Sequence, residues 1–317
     1  MTAGARRIWT VIQALLLLAT VVWVTRALER QWHDVRAVAA TTQIRWNWIL
    51  IASVMVLLTY GMLIQSWRLL LSGWGGRLRY GAAVRIWTIA NLGRYLPGKV
   101  WSVSALGVLA QREGVSGVTA AGAAILGTLL NIGTGFGILA LSGAPTLGAF
   151  SPTLRLASVS ASVAFVLVTA LLPVLLPPVL QKIVSWRQLP PLETHLPGRA
   201  LWIATGMNAL SWLGYGMAFA AFTRGVAPQV HGSPILFVTV WTASYLMGYV
   251  VLFAPGGIGV RDVAMGGGLV ALALAGNADA TWIALTSRVW MTVLEVLPGL
   301  LALLWVPLST RALHRAD

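Results

Sequence analysis

The chain has 317 residues, 58% of them hydrophobic and 9% charged, with a formal net charge of +14. Soluble domains carry about 25% charged residues, and uncharged apolar runs recur along the whole length here, which excludes a soluble globular fold. The basic residues sit mostly between those runs and form no basic stripe with interleaved aromatics, which argues against nucleic-acid binding and for loops marked by the positive-inside rule.

Arg6 and Arg7 precede the first apolar run, which reads as an uncleaved first span because no small-residue cleavage site stands before Arg26. In chain order the runs long enough to cross a bilayer are roughly 8–28, 47–70, 118–141, 154–178, 200–223 and 281–306. Each is expected to be helical, since lipid offers no partner to an open backbone group. Trp9, Trp46, Trp48, Trp67, Trp74 and Trp305 fall near the ends of these runs, where interfacial aromatics belong. A polar, proline-rich connection between 178 and 200 divides the chain.

Two further segments, about 83–110 and 235–275, each contain two apolar stretches hinged at Pro-Gly. A proline kink in an ordinary span explains either one alone. Together they fall at matching places: Pro97 and Pro255 are 255 − 97 = 158 residues apart, about half the chain. Interrupted hydrophobic segments at corresponding positions of two halves point to a transporter binding site. The expected fold is therefore an all-α polytopic membrane protein in a single domain. It has about six full spans and two re-entrant broken-helix segments, arranged as an inverted repeat of roughly 1–150 and 151–310.

Charge tests this topology. With re-entrant hinges, the N-terminal side collects Arg6, Arg7, Arg68, Arg77, Arg79, Arg85, Arg112, Lys182, Arg187, Arg199, Arg311 and Arg315, twelve in all; the other side collects Arg26, Arg30, Arg36, Arg45, Arg155 and Arg224, six. If each hinge segment crosses once, Arg112, Lys182, Arg187 and Arg199 exchange sides with Arg155 and Arg224, and the split is ten against eight. The positive-inside rule prefers the re-entrant arrangement, with both termini cytoplasmic in a cell (inner or plasma) membrane.

Ionisable residues at membrane depth are costly and face a cavity or a partner. The candidates are Arg94 and Lys99 around the first hinge, Arg261 and Asp262 after the second, and Arg288 and Glu295 in the last span, four positive against two negative. Surplus buried cation suits an anionic group such as a phosphate. After Pro97-Gly98 and after Pro255-Gly256-Gly257 a new helix begins, whose first N–H groups are unpaired and partially positive. The plainer alternative is internal pairing, Arg261 with Asp262 and Arg288 with Glu295. Asn91, Asn131 and Asn208 read as interhelical hydrogen-bonding residues, and Gly133-Thr134-Gly135 and Gly266-Gly267-Gly268 as close-packing surfaces. Cysteine is absent, and His33, His195, His231 and His314 lie in separate loops without ligand spacing, so no metal or other cofactor is expected. No GxxxxGK[ST] loop occurs, so net transport would draw on a gradient or a coupled enzyme.

The stretches NLGRYLPGKVWSVSALGVLAQREGVSGVTAAGAAIL and APGGIGVRDVAM, followed by ALTSRVW and Glu295, resemble the flippase-like transmembrane domain family of lysylphosphatidylglycerol synthases, over about residues 50–306. The resemblance implies a membrane domain that moves or binds an anionic or aminoacylated lipid. In bifunctional members an aminoacyl-transfer domain follows; here the chain ends at Asp317, so lysyl transfer is not expected. Two departures from the family pattern stand out. Asp262 replaces the usual glutamate, and Ile125-Leu126-Gly127-Thr128 is uncharged where relatives often carry an acidic residue.

The expected function is a lipid flippase-like transporter or lipid-binding protein for an anionic phospholipid or polyprenyl-phosphate lipid, without catalytic residues. The expected substrate-binding set is Arg94, Pro97, Gly98, Lys99, Pro255, Gly256, Gly257, Arg261, Asp262, Arg288 and Glu295. One alternative is an integral membrane glycosyltransferase with Glu29 or Asp34 as base; another is a scaffold subunit whose partner is a lipid-modifying membrane enzyme.

Overall fold

The structure is a computed structural model that describes residues 36–95, 100–150, 152–187, 198–250 and 259–304. The described residues are helical, with no strand among them. A short helical segment covers 36–41. It is followed by α1 (Trp46–Gly73), α2 (Tyr80–Asn91) running into a 3₁₀ turn (Leu92–Tyr95), α3 (Val100–Arg112), α4 (Gly117–Phe150) and α5 (Pro152–Arg187). The chain continues through α6 (Gly198–Val226), α7 (Pro234–Val250), α8 (Val260–Ala271) and α9 (Asn277–Leu304).

Three of these helices are long and apolar enough to cross a membrane by length and composition: α1, the Gly117–Gly143 part of α4, and α9. They coincide with the sequence runs 47–70, 118–141 and 281–306. The runs 154–178 and 200–223 lie inside α5 and α6, whereas the run 8–28 is outside the described residues. The 28 residues of α9 rise roughly 42 Å, enough for the hydrocarbon core and both interfaces.

Side-chain periodicity on α9 separates two faces. Val289, Val293, Leu297, Leu300, Leu301 and Leu304 are exposed, while Ile283, Ser287, Met291 and Glu295 are buried at intervals of four. Exposed leucine and valine along a whole helix face would be costly in water and cost nothing in lipid. The same holds for Leu50, Val54, Leu57 and Leu58 of α1 and for Ile125, Leu129 and Phe136 of α4.

The order of long helix, two short helices and long helix occurs twice. Helices α1, α2, α3 and α4 start at 46, 80, 100 and 117, and α6, α7, α8 and α9 at 198, 234, 260 and 277. The offsets are 152, 154, 160 and 160 residues, and the short-helix pairs bracket Pro97 and Pro255.

The chain forms two compact units. One comprises residues up to Ser53, Arg94–Lys99 and Gly216–Thr292; the other comprises Val54–Gly93, Val100–Tyr215 and the residues from Val293. The second unit is tied by a polar knot between three helices. Asn208 Nδ2 donates to Ser66 Oγ on α1 at 2.8 Å and to the Ala204 carbonyl at 2.8 Å. Asn131 Nδ2 on α4 donates to Asn208 Oδ1 at 3.0 Å, and the Trp212 indole N–H donates to the Asn131 carbonyl at 2.8 Å. Asn131 and Asn208 thus act as interhelical hydrogen-bonding residues, as their type and setting suggested. Asn208→Ala strands Ser66 and Asn131 together, so it is expected to lower stability by about 1–2 kcal/mol. Thermal unfolding in detergent reads this, and an unchanged melting temperature would show that the knot contributes nothing.

The first unit has an aromatic interior. Phe219 of α6 meets Phe237 and Trp241 of α7 with centroids 6.0 and 5.3 Å apart. Phe222 stacks on Trp290 of α9 at 4.3 Å, and the Trp290 indole N–H donates to Ser53 Oγ at 2.9 Å. In the glycine triplet of α8, Gly268 packs against Val240 and Gly266 approaches the Ala280 carbonyl, while Gly267 faces open space.

Candidate anion site at the start of α8

Helix α7 opens with Pro234, whose missing N–H costs nothing at a first helical position. Helix α8 opens after Gly259, which has φ 83 and ψ −57, a left-handed backbone that a side chain would strain. The Gly259 N–H donates to Oδ2 of Asp262 at 3.1 Å, and the Val263 N–H closes the first helical bond onto the Gly259 carbonyl at 2.9 Å. Asp262 therefore caps its own helix, where a carboxylate also meets the positive end of the helix dipole.

Arg261 sits one residue earlier and points elsewhere, as neighbours on a helix must. It is 4% exposed. Its guanidinium carbon lies 3.7 Å from the centroid of the Tyr245 ring and 4.9 Å from that of Trp241. These two rings stand one turn apart on α7, with centroids 4.8 Å from each other. The aromatic faces hold the cation by charge–quadrupole attraction, worth up to about 2 kcal/mol when desolvated. Nε and Nη2 of Arg261 are buried and have no hydrogen-bond partner among the described residues. Those two N–H groups share one edge of the planar guanidinium and point the same way, the geometry that accepts two oxygens of a phosphate or carboxylate.

Arg261 makes no ion pair with Asp262, so the internal pairing suggested by their adjacency is not formed. Arg94 is half-buried in the 3₁₀ turn, Arg288 is half-buried on α9, and Glu295, 6% exposed, lies on the inward face of α9. Pro97, Gly98, Lys99, Pro255, Gly256 and Gly257 are outside the described residues, as are Glu29 and Asp34. Among the described residues no cluster of His, Asp or Glu has the makings of a metal site.

Sequence reasoning missed Trp241 and Tyr245. The signal was present in the i, i+4 aromatic pair of WTASY on the arm before the hinge, with an arginine just after it. Only the packing of α8 on α7 reveals that the three side chains meet.

No curated protein matches the chain. A family match extends over residues 11–299, nearly the whole length, and takes in both short-helix pairs and the buried arginine. The all-helical architecture, the lipid-facing helix surfaces and this match lead to one conclusion: the chain belongs to the lysylphosphatidylglycerol synthase TM region family of helical membrane domains.

Proposed function

We propose that the protein is a flippase-like translocase that binds the anionic group of a phosphate-bearing lipid at Arg261. The observation that carries this reading is the buried, unpartnered Nε–Nη2 edge of Arg261, fixed by two aromatic rings. An uncompensated guanidinium edge inside a membrane protein costs several kcal/mol unless a ligand completes it. An anionic lipid is the abundant oxyanion at that depth. The duplicated helix order, with a Pro-Gly between each pair of short helices, supports an inverted repeat with two re-entrant hinges. In that arrangement Arg94, Lys99 and Arg288 add positive charge, the Pro97-Gly98 and Pro255-Gly256-Gly257 hinges offer backbone N–H groups, and both termini lie in the cytoplasm.

The test is native mass spectrometry of the detergent-extracted protein, comparing wild type with an Arg261→Ala, Arg288→Ala double variant that still folds. The expected result is a co-purified anionic phospholipid or polyprenyl phosphate on the wild type that the double variant has lost. Equal lipid content in both would overturn the site and move the weight to a scaffold role.

A further inference from the structure

The first unit is not alone in carrying uncompensated positive charge. In the second unit, α1 ends and α4 begins at the same end of the helix bundle. The Trp67 indole N–H donates to the Ala120 carbonyl at 3.3 Å, and a Cβ placed on Gly76 would lie 3.1 Å from Val115. Both helices are long and apolar enough to cross the membrane, so this end lies at the depth of lipid headgroups. Two loops meet there, 74–79 after α1 and 113–116 before α4.

Five arginines belong to this end, and they divide into two kinds. Arg68 is used internally: Nε donates to Gln65 Oε1 at 2.9 Å and Nη1 to the Leu78 carbonyl at 3.2 Å, pinning the 74–79 loop from beneath. Arg85 is also used, in a 2.8 Å ion pair with Glu113. Arg77, Arg79 and Arg112 are exposed. Leu78 between the first two is buried at 8% exposure, so the alternation of the segment forces both guanidiniums outward. Among the described residues none of the three has an ion-pair partner. Between Asp34 and Glu193 the chain contains one acidic residue, Glu113, and Arg85 already holds it.

We propose that Arg77, Arg79 and Arg112 form a docking surface for anionic lipid headgroups, separate from Arg261 and contributed by the other unit. Three positive charges without an ion-pair partner among the described residues, placed beside the loops that end one membrane-crossing helix and begin another, meet the negative surface of the leaflet. Each basic residue near such a surface contributes on the order of 1 kcal/mol, about fivefold in affinity, so the three together favour an anionic over a zwitterionic headgroup by roughly 10²-fold at low salt.

The experiment measures retention of phosphatidylglycerol against chain-matched phosphatidylcholine by native mass spectrometry, from mixed micelles at low and at high salt. Three proteins are compared, all carrying R261Q so that the Arg261 site does not contribute: R261Q itself, R261Q with R77Q/R79Q/R112Q, and R261Q with R77K/R79K/R112K. The expected result is a salt-sensitive preference for phosphatidylglycerol in R261Q itself, kept when the lysine triple is added and lost by roughly 10²-fold when the glutamine triple is added. The surface is overturned by an undiminished preference in the glutamine triple, and equally by loss in the lysine triple, which would mark the arginines as structural. Absence of the preference in R261Q itself would also overturn the surface and assign anionic-lipid binding to Arg261. Unchanged lipid preference with loss of an acidic protein partner in the glutamine triple would likewise overturn the lipid surface.

Discussion

Replacing Arg261 by methionine raises the melting temperature of the delipidated protein and at the same time weakens its stabilisation by anionic lipid. The two effects have one cause. The Nε–Nη2 edge of Arg261 is buried without a hydrogen-bond partner among the described residues, while the Tyr245 and Trp241 faces offset part of the desolvation. Replacing a buried charge by an apolar side chain of similar length commonly gains about 1–4 kcal/mol. The thioether of methionine keeps favourable contact with both rings. The lipid side has the opposite sign. A bidentate pair to a phosphate consists of two charge-assisted hydrogen bonds, each worth about 1.5–3 kcal/mol, so its loss weakens binding by at least tenfold. Delipidated protein is required because bound lipid stabilises the wild type by mass action and would mask the gain. Arg261→Lys is the sharper variant, since it keeps the charge and removes the planar fork; lipid-induced stabilisation should fall in it as well. A methionine variant that melts lower and still responds to anionic lipid would remove Arg261 from the site.

The parts of the molecule legible in sequence are those that lipid dictates. The apolar runs 47–70, 118–141 and 281–306 became α1, α4 and α9 because a backbone in hydrocarbon has no alternative to the helix. Asn131 and Asn208 were readable for the same reason: an amide at depth must find another polar group, and each found the other. The candidate site was legible only in part. Arg261 stood out as a charge where charges are rare, but adjacency in sequence suggested Asp262 as its partner. Helix geometry turns consecutive residues about 100° apart, so Asp262 reaches back to the Gly259 N–H while Arg261 goes to the rings of α7. That choice depends on how α7 and α8 pack, which no local pattern encodes. The Arg85–Glu113 pair was hidden for the same reason, its members being 28 residues apart, one on α2 and the other in the turn after α3.

The packing that builds the arginine site is also its most fragile feature, and Gly216→Val is expected to break it. Gly216 lies on α6 against Val238 of α7. A Cβ there would sit 2.5 Å from both the Cα and the Cγ2 of Val238. The Cγ2 can rotate away, but the Cα belongs to the backbone of α7 and yields only if the helix moves. Overpacking of this kind costs about 3 kcal/mol, at the upper end for an inserted side chain. The displaced helix carries Trp241 and Tyr245, one and two turns beyond Val238, so the aromatic faces would leave the guanidinium of Arg261. The expected phenotype is therefore double: a melting temperature well below wild type, and loss of lipid-induced stabilisation in whatever protein still folds. Gly267→Ala is the matched control. Nothing lies within 4 Å of a Cβ at Gly267 on α8, and alanine in a helix interior gains about 0.5–1 kcal/mol over glycine. If Gly216→Val melts like wild type while Gly267→Ala behaves as expected, α6 and α7 are not in contact at Val238, and the rings are not held against Arg261 by that packing.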